Sequence, residues 1–250
     1  MKGNLDKKIK DAAEMIKNAN NVTVFTGAGI SVESGIPPFR GEEGLWSRYD
    51  SIILDLRYFY SSPKEAWIAI KKLFYDFFGQ AEPNYAHIAV AQMEKAGMVN
   101  AVITQNIDNL HQEAGSRNVY EYHGTLKTLT CTKCGKQYYA DNISLEKLPL
   151  ECEVCGGLVK PDFVFFGEGI PEEAARVSYE AINKSDLFLV IGTTGEIMPA
   201  SSIPVMAKQN GAKIIEINVE QTNFTGQITD IFLQGKATGI MKKLVKELNI

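Results

Sequence analysis

Long apolar runs, an excess of positive charge and spare cysteines are all missing from this chain of 250 residues. No stretch approaches the ~20 apolar residues with which a helix crosses a membrane. Met1-Lys2-Gly3-Asn4 opens without the apolar core of an export signal. A net charge of −4 and a pI near 5.5 argue against a protein held to nucleic acid by phosphate contacts. Internal repeats, low-complexity tracts and long linkers are absent too. These absences lead us to expect a cytoplasmic protein in a reducing setting, bound neither to membrane nor directly to nucleic acid. Hydrophobic residues make up 45% of the chain, enough for one large core, alone or with a small satellite.

The four cysteines fall as two pairs, Cys131-Thr-Lys-Cys134 and Cys152-Glu-Val-Cys155, with 17 residues between them. That spacing suits a tetrahedral zinc site built from two turns. Gly135 and Gly156-Gly157 follow the knuckles, where tight turns need positive φ. Two redox dithiols or disulfides are the alternatives; symmetric pairs with no thiol to spare fit metal better. Four thiolates close the shell and leave no position for an activated water. The expected zinc is therefore structural.

Along the chain, Leu5, Ile9, Ala12, Ala13 and Ile16 recur at helical spacing. Val22-Thr-Val-Phe25 reads as a buried strand ending in Thr26-Gly27-Ala28-Gly29-Ile30-Ser31. A strand, a glycine turn and a helix start are the arrangement that cradles a pyrophosphate. Val32 stands where the third fingerprint glycine belongs, and an ordinary glycine turn is the alternative. Aromatics crowd residues 39 to 82, among them Trp46, Tyr58, Phe59, Trp67, Phe74, Phe77 and Phe78. A helix is predicted from Pro63 to Phe78 with Ser62 as its cap, inside a helical insertion. Asn84 caps the next helix, which stops at Gly97. Ala101-Val-Ile103, Val119-Tyr-Glu-Tyr122, Phe163-Val-Phe-Phe166, Leu187-Phe-Leu-Val-Ile191 and Lys213-Ile-Ile-Glu-Ile217 read as strands. Helices are predicted near 172–183 and 200–209 and from Thr238 onward. This alternation means an α/β fold with a doubly wound parallel sheet.

Several motifs together resemble one family, the sirtuins of prokaryotic type, which are NAD-dependent protein-lysine deacylases. They are Gly27-Ala-Gly-Ile-Ser31 with Glu33-Ser-Gly-Ile-Pro37 and Phe39-Arg40-Gly41, then Thr104-Gln-Asn-Ile-Asp108 with Leu110-His111 and Ala114-Gly115. His123-Gly124, the cysteine pairs, Phe166-Gly-Glu168 and Gly192-Thr-Thr194 follow in order. The resemblance implies a Rossmann-like NAD-binding domain at 1–40, 84–123 and 160–250. It implies a small domain from a helical insertion at 41–83 and a zinc module at 124–159. Pro38 replaces a usual acid and Thr194 a usual serine, departures that bear on NAD affinity.

By the same resemblance, NAD and one structural zinc are expected. The cofactor would meet Gly27, Ala28, Gly29, Phe39, Arg40, Gln105, Asn106, Ile107, Asp108, Gly192, Thr193, Thr194, Asn218, Val219 and Ala237. Asn106 and Asp108 would face the ribose carbon where positive charge grows as nicotinamide leaves. His123 would be the general base that deprotonates a ribose hydroxyl. Without the resemblance, His123 could equally serve packing. His87 is expected to be a packing residue, and His111 structural support. Acetyl-lysine proteins, with DNA-associated proteins and metabolic enzymes both open, are the expected partners, entering as an added strand along Val164, Phe166, Gly167 and Glu196. Family members that prefer acidic acyl groups carry a Tyr-x-x-Arg pair; the matching positions here are Ile70 and Leu73, so an uncharged acyl group is expected. Mono-ADP-ribosyl transfer is the rival enzyme reading, a zinc-ribbon nucleic-acid binder the rival of another class.

Overall fold

The computed structural model describes residues 2–39, 44–76 and 81–250. Arg40, Gly41, Phe77 and Phe78 lie outside them. In chain order the helices are α1 (Lys2–Asn18), α2 (Leu45–Arg48), α3 (Leu56–Ser61), α4 (Pro63–Ile70), α5 (Tyr85–Lys95), α6 (Leu110–Glu113), α7 (Glu172–Lys184), α8 (Ser202–Gln209) and α9 (Ala237–Leu248). The strands are β1 (Val22–Thr26), β2 (Ala101–Thr104), β3 (Val119–Glu121), β4 (Gly124–Cys131), β5 (Gln137–Tyr139), β6 (Val159–Phe163), β7 (Leu187–Ile191), β8 (Lys213–Asn218) and β9 (Ile231–Gln234).

Six strands form one parallel sheet in the order β3-β2-β1-β7-β8-β9. Side chains alternate across it, as a period of two requires. Leu187, Leu189 and Ile191 enter the core shared with α1, α5 and α9, while Phe188 and Val190 meet Ile182, Ile203 and Ala207 of α7 and α8. Winding reverses between β1 and β7, and ligands bind beyond the carboxyl ends of strands at such a point. Among the described residues, no helix is long and apolar enough to cross a membrane.

A second sheet, β5-β4-β6, is antiparallel. It shares a core with the helical insertion: Phe59, Trp67 and Phe74 pack with Leu129, Val159, Phe163 and Phe165. Trp67 Nε1 donates to the Val159 carbonyl at 2.9 Å, so the buried indole N–H is satisfied. The expected boundary at residue 160 falls inside β6.

Three local expectations are corrected. The glycine turn leads not directly into an α-helix but into two 3₁₀ turns, Ala28–Ile30 and Val32–Ser34. Gly35 ends them at φ 90°, and Pro37-Pro38 then deny helical N–H donors. The helix predicted from Pro63 ends at Ile70 and widens into a π turn, Lys71–Tyr75, and Ser62 sits at its N-cap without a side-chain bond. The strand predicted over Phe163–Phe166 stops at Phe163, and Phe166 keeps a single parallel bridge to Asp55.

Candidate active site

Beyond the carboxyl ends of β1 and β7 lies a cleft of about 510 Å³. Its making starts with two glycines packed face to face. Gly27 N donates to Ile191 O at 3.1 Å and Gly29 N to Gly192 O at 2.8 Å, joining the two loops across the switch point. A Cβ on Gly29 would sit 2.6 Å from Gly192 Cα. Gly192 itself has φ +65°, and its own Cβ would meet Ile30 N at 2.4 Å. Gly192→Ala is therefore expected to cost at least ~1–3 kcal/mol for backbone strain alone. A fall in the denaturant midpoint at constant m-value checks it.

Of the residues expected to bind cofactor, Gly27, Ala28, Gly29, Phe39, Gln105, Asn106, Ile107, Gly192, Thr193, Thr194, Asn218, Val219 and Ala237 line this cleft. His123, Val164, Phe166 and Gly167 line it as well. Asp108 and Glu196 are not among the lining residues. The Asp108 carboxylate instead accepts from Leu110 N at 3.1 Å, just after Asn109 takes φ 61°. It also accepts from Ser31 Oγ at 2.7 Å. Burial pushes its pKa up against those hydrogen bonds. Asp108 thus braces the cleft floor from behind.

Ser31 is the hub of that floor. Its one hydroxyl hydrogen goes to Asp108, so it accepts from Asn106 Nδ2 at 3.1 Å and from His87 Nε2 at 3.3 Å. His87 Nδ1 accepts from Asn84 N at 3.3 Å, which leaves Nε2 carrying the hydrogen. Burial lowers the His87 pKa to about 4, so the ring is neutral. His111 Nε2 meets Thr26 Oγ1 at 3.0 Å while its Nδ1 is buried without a hydrogen-bond partner. Burial and then His87 hold its pKa well below 6.5. Gln105 Nε2 bridges to Thr193 Oγ1 at 3.1 Å, and Asn218 Nδ2 to the Thr193 carbonyl at 3.1 Å.

His123 is oriented differently. Its Nδ1 lies 3.0 Å from the Gln105 carbonyl, which can only accept. Nδ1 therefore carries the hydrogen, and Nε2 is left with a free lone pair. Burial lowers its pKa, and the Gln105 bond opposes this.

At the cysteines, the four Sγ atoms lie within 4.8 Å of one another. Cys131 and Cys155 are 3.6 Å apart, Cys134 and Cys152 3.7 Å, too far for a disulfide at about 2.05 Å. Thiolates about 2.3 Å from a tetrahedral zinc would stand about 3.8 Å apart, so the set fits the ion. Gly135 (φ 73°) and Gly156 (φ 67°) turn the knuckles. Gly157 is instead needed for space, since its Cβ would lie 3.0 Å from Cys131 Sγ. Tyr138 OH donates to Cys152 Sγ at 3.1 Å, a supporting contact around the ligands.

The Sir2 family model matches residues 27–199. The chain belongs to that family. It is 44% identical over 242 residues to NAD-dependent protein deacylase 2 of Pyrobaculum aerophilum, covering 95% of each chain. A solved Sir2 structure with a deacetylated p53 peptide and 3′-O-acetyl ADP ribose superposes with a TM-score of 0.92 at 32% identity, over 97% of this chain and 99% of that one. A Sir2 homologue–NAD complex superposes with a TM-score of 0.89 at 37% identity, over 96% and 93%.

In this Sir2 fold two contributors, Glu33 and Glu216, take roles that the sequence did not assign. Glu33 lines the cleft and accepts from Thr238 N and Oγ1 at the start of α9 (3.0 and 2.6 Å). Glu216, 1% exposed, takes the hydroxyls of Thr222, Thr225 and Thr229. It thereby fixes the loop that sets Phe224 beneath Gly195. In the sequence Glu216 shows only as one acid inside a continuous apolar strand.

Proposed function

We infer that this chain is an NAD-dependent protein-lysine deacetylase that releases nicotinamide and 2′-O-acetyl-ADP-ribose. The observation that carries the reading is the His123 Nε2 lone pair, on a ring that lines one continuous cleft running from the paired glycine loops to Phe165 and Phe166. NAD supplies an activated ribose carbon and the hydroxyls beside it. Gly27, Gly29 and Gly192 let backbone approach the phosphates, Gln105 and Asn106 present polar groups to the ribose, and Ser31 with Asp108 holds Asn106 in place. His123, neutral, accepts the ribose proton at Nε2. Phe39 and Trp46, with ring centroids 5.6 Å apart, exclude water from the reacting end. Zinc, held by Cys131, Cys134, Cys152 and Cys155, supplies folding stability to the small lobe. The lobes divide as 1–40, 84–123 and 160–250 against 41–83 and 124–159, with β6 crossing the boundary at 160 to complete the small sheet.

The acetyl-lysine protein would pair through Gly167 and the Gly195–Ile197 loop. The N–H groups of Val164, Phe165 and Phe166 are already spent on His123 O, the Glu168 carboxylate and Leu54 O. Incubation with NAD and an acetyl-lysine peptide, followed by mass spectrometry of the products, tests the reading. Protein labelled with ADP-ribose and no 2′-O-acetyl-ADP-ribose would establish mono-ADP-ribosyl transfer instead.

Acyl choice follows from the cleft wall. Ile70 and Leu73 are buried in the small lobe's core rather than on the cleft. Phe39, Trp46, Leu54, Phe163, Phe165 and Phe166 line it, and Lys236, before α9, is the one cation among the described lining residues. A carboxylate against such a wall leaves a charge unpaired. Succinyl-peptide is expected to react with a kcat/KM at least about tenfold below that of acetyl-peptide. Equal turnover would overturn the uncharged-acyl preference.

A further inference from the structure

Lys160, on β6, belongs to none of the groups described above, yet its side chain is only 11% exposed. Its ammonium donates to Pro161 O at 2.8 Å, Phe163 O at 2.9 Å and Glu168 Oε2 at 2.9 Å, which uses all three hydrogens. It also lies 4.2 Å from the centroid of the Phe165 ring. The same Glu168 oxygen accepts the Phe165 N–H at 2.7 Å. Lysine and glutamate therefore close a ring over residues 163–168. The other side of that segment is tied by Val164 N to His123 O (2.8 Å), Phe166 N to Leu54 O (2.8 Å) and Leu56 N to Phe166 O (3.1 Å).

A buried ion pair is a poor source of stability, because an apolar residue of similar size often packs as well. What the pair supplies is geometry. Without the ammonium, two carbonyls and a carboxylate converge with no donor between them, and the segment must open to hydrate them. Residues 163–168 line the cleft, and the segment meets His123 through Val164 N.

We propose that Lys160 and Glu168 are a positioning pair that holds the Val164–Gly167 segment in the shape that receives the acyl-lysine strand. This rests on the deacetylase reading. Affinity for the peptide then depends on the pair, and affinity for NAD does not.

Steady-state kinetics of the full chain with an acetyl-lysine peptide and NAD test it. Lys160→Met is expected to raise the peptide KM about tenfold or more, with kcat and the NAD KM within about twofold of wild type. Lys160→Arg, which keeps a cation at the position, is expected to recover most of the loss. Amide exchange at Phe165, read without substrate, is expected to quicken in Lys160→Met. An unchanged peptide KM, or an NAD KM rising by the same factor, would overturn the proposal. Should Lys160→Met fail to fold, Glu168→Gln decides by the same peptide KM. A wild-type protein that binds NAD but leaves the peptide acetylated would sink the deacetylase reading, and the pair's role with it, before any variant is made.

Discussion

His123→Ala is expected to slow deacetylation of an acetyl-lysine peptide by roughly 10²- to 10⁴-fold, the usual worth of a positioned general base. Exchange of free nicotinamide into NAD is expected to fall much less, because departure of nicotinamide precedes the proton transfer. The hydrogen bond from Nδ1 to the Gln105 carbonyl fixes both the tautomer and the ring. Nε2 therefore needs no rearrangement to act. The pH dependence has a definite sign. The base works unprotonated, and burial disfavours the imidazolium, so the folded pKa lies below 6.5. The acid limb of kcat/KM is then expected below pH 6.5, with activity kept into mildly acidic solution and lost as the pH falls through that lowered value. Equal losses in exchange and deacetylation would show that His123 serves binding or folding instead.

Much of the large sheet is written in continuous apolar runs. Leu187–Ile191 is buried at every position, as a strand covered by helices on both faces must be. The alternating strand β4 is harder to read, because Thr125, Lys127, Thr128 and Thr130 break its apolar pattern where one face meets solvent. For the site, residue types at strand ends located the cleft, but not which way each side chain faces. Asp108 illustrates the limit: its carboxylate accepts from Ser31, 77 residues earlier in the chain, and a contact so distant in sequence leaves no local signal. Lys160 is a second case. In a Val-Lys-Pro-Asp-Phe stretch a lysine reads as solvent-facing, and only the carbonyls of Pro161 and Phe163, the Phe165 ring and the returning Glu168 account for its burial. The cysteines were legible because their chemistry depends on spacing alone.

Cys152→Ala is expected to collapse the small lobe and abolish peptide turnover, by at least about a hundredfold, although Cys152 is no part of the reacting centre. The lobe's sheet has three strands, two of its cysteines are buried, and its core reaches through Trp67 to Phe163 and Phe165. A structural zinc contributes on the order of 10 kcal/mol, comparable to the whole stability of a typical domain. Phe163–Gly167, the segment expected to meet the peptide, is anchored in that core, so its loss reaches the cleft. The glycine loops between β1 and β7 are anchored in the other core, and weak ADP-ribose binding is expected to survive. Metal analysis, thermal melting and peptide turnover on the same preparation check this. Cobalt in place of zinc is expected to leave kcat nearly unchanged, since four thiolates complete the coordination shell and offer no open position. A Cys152→Ala protein that has lost its zinc yet melts and turns over like the wild type would remove the metal from any role in this fold.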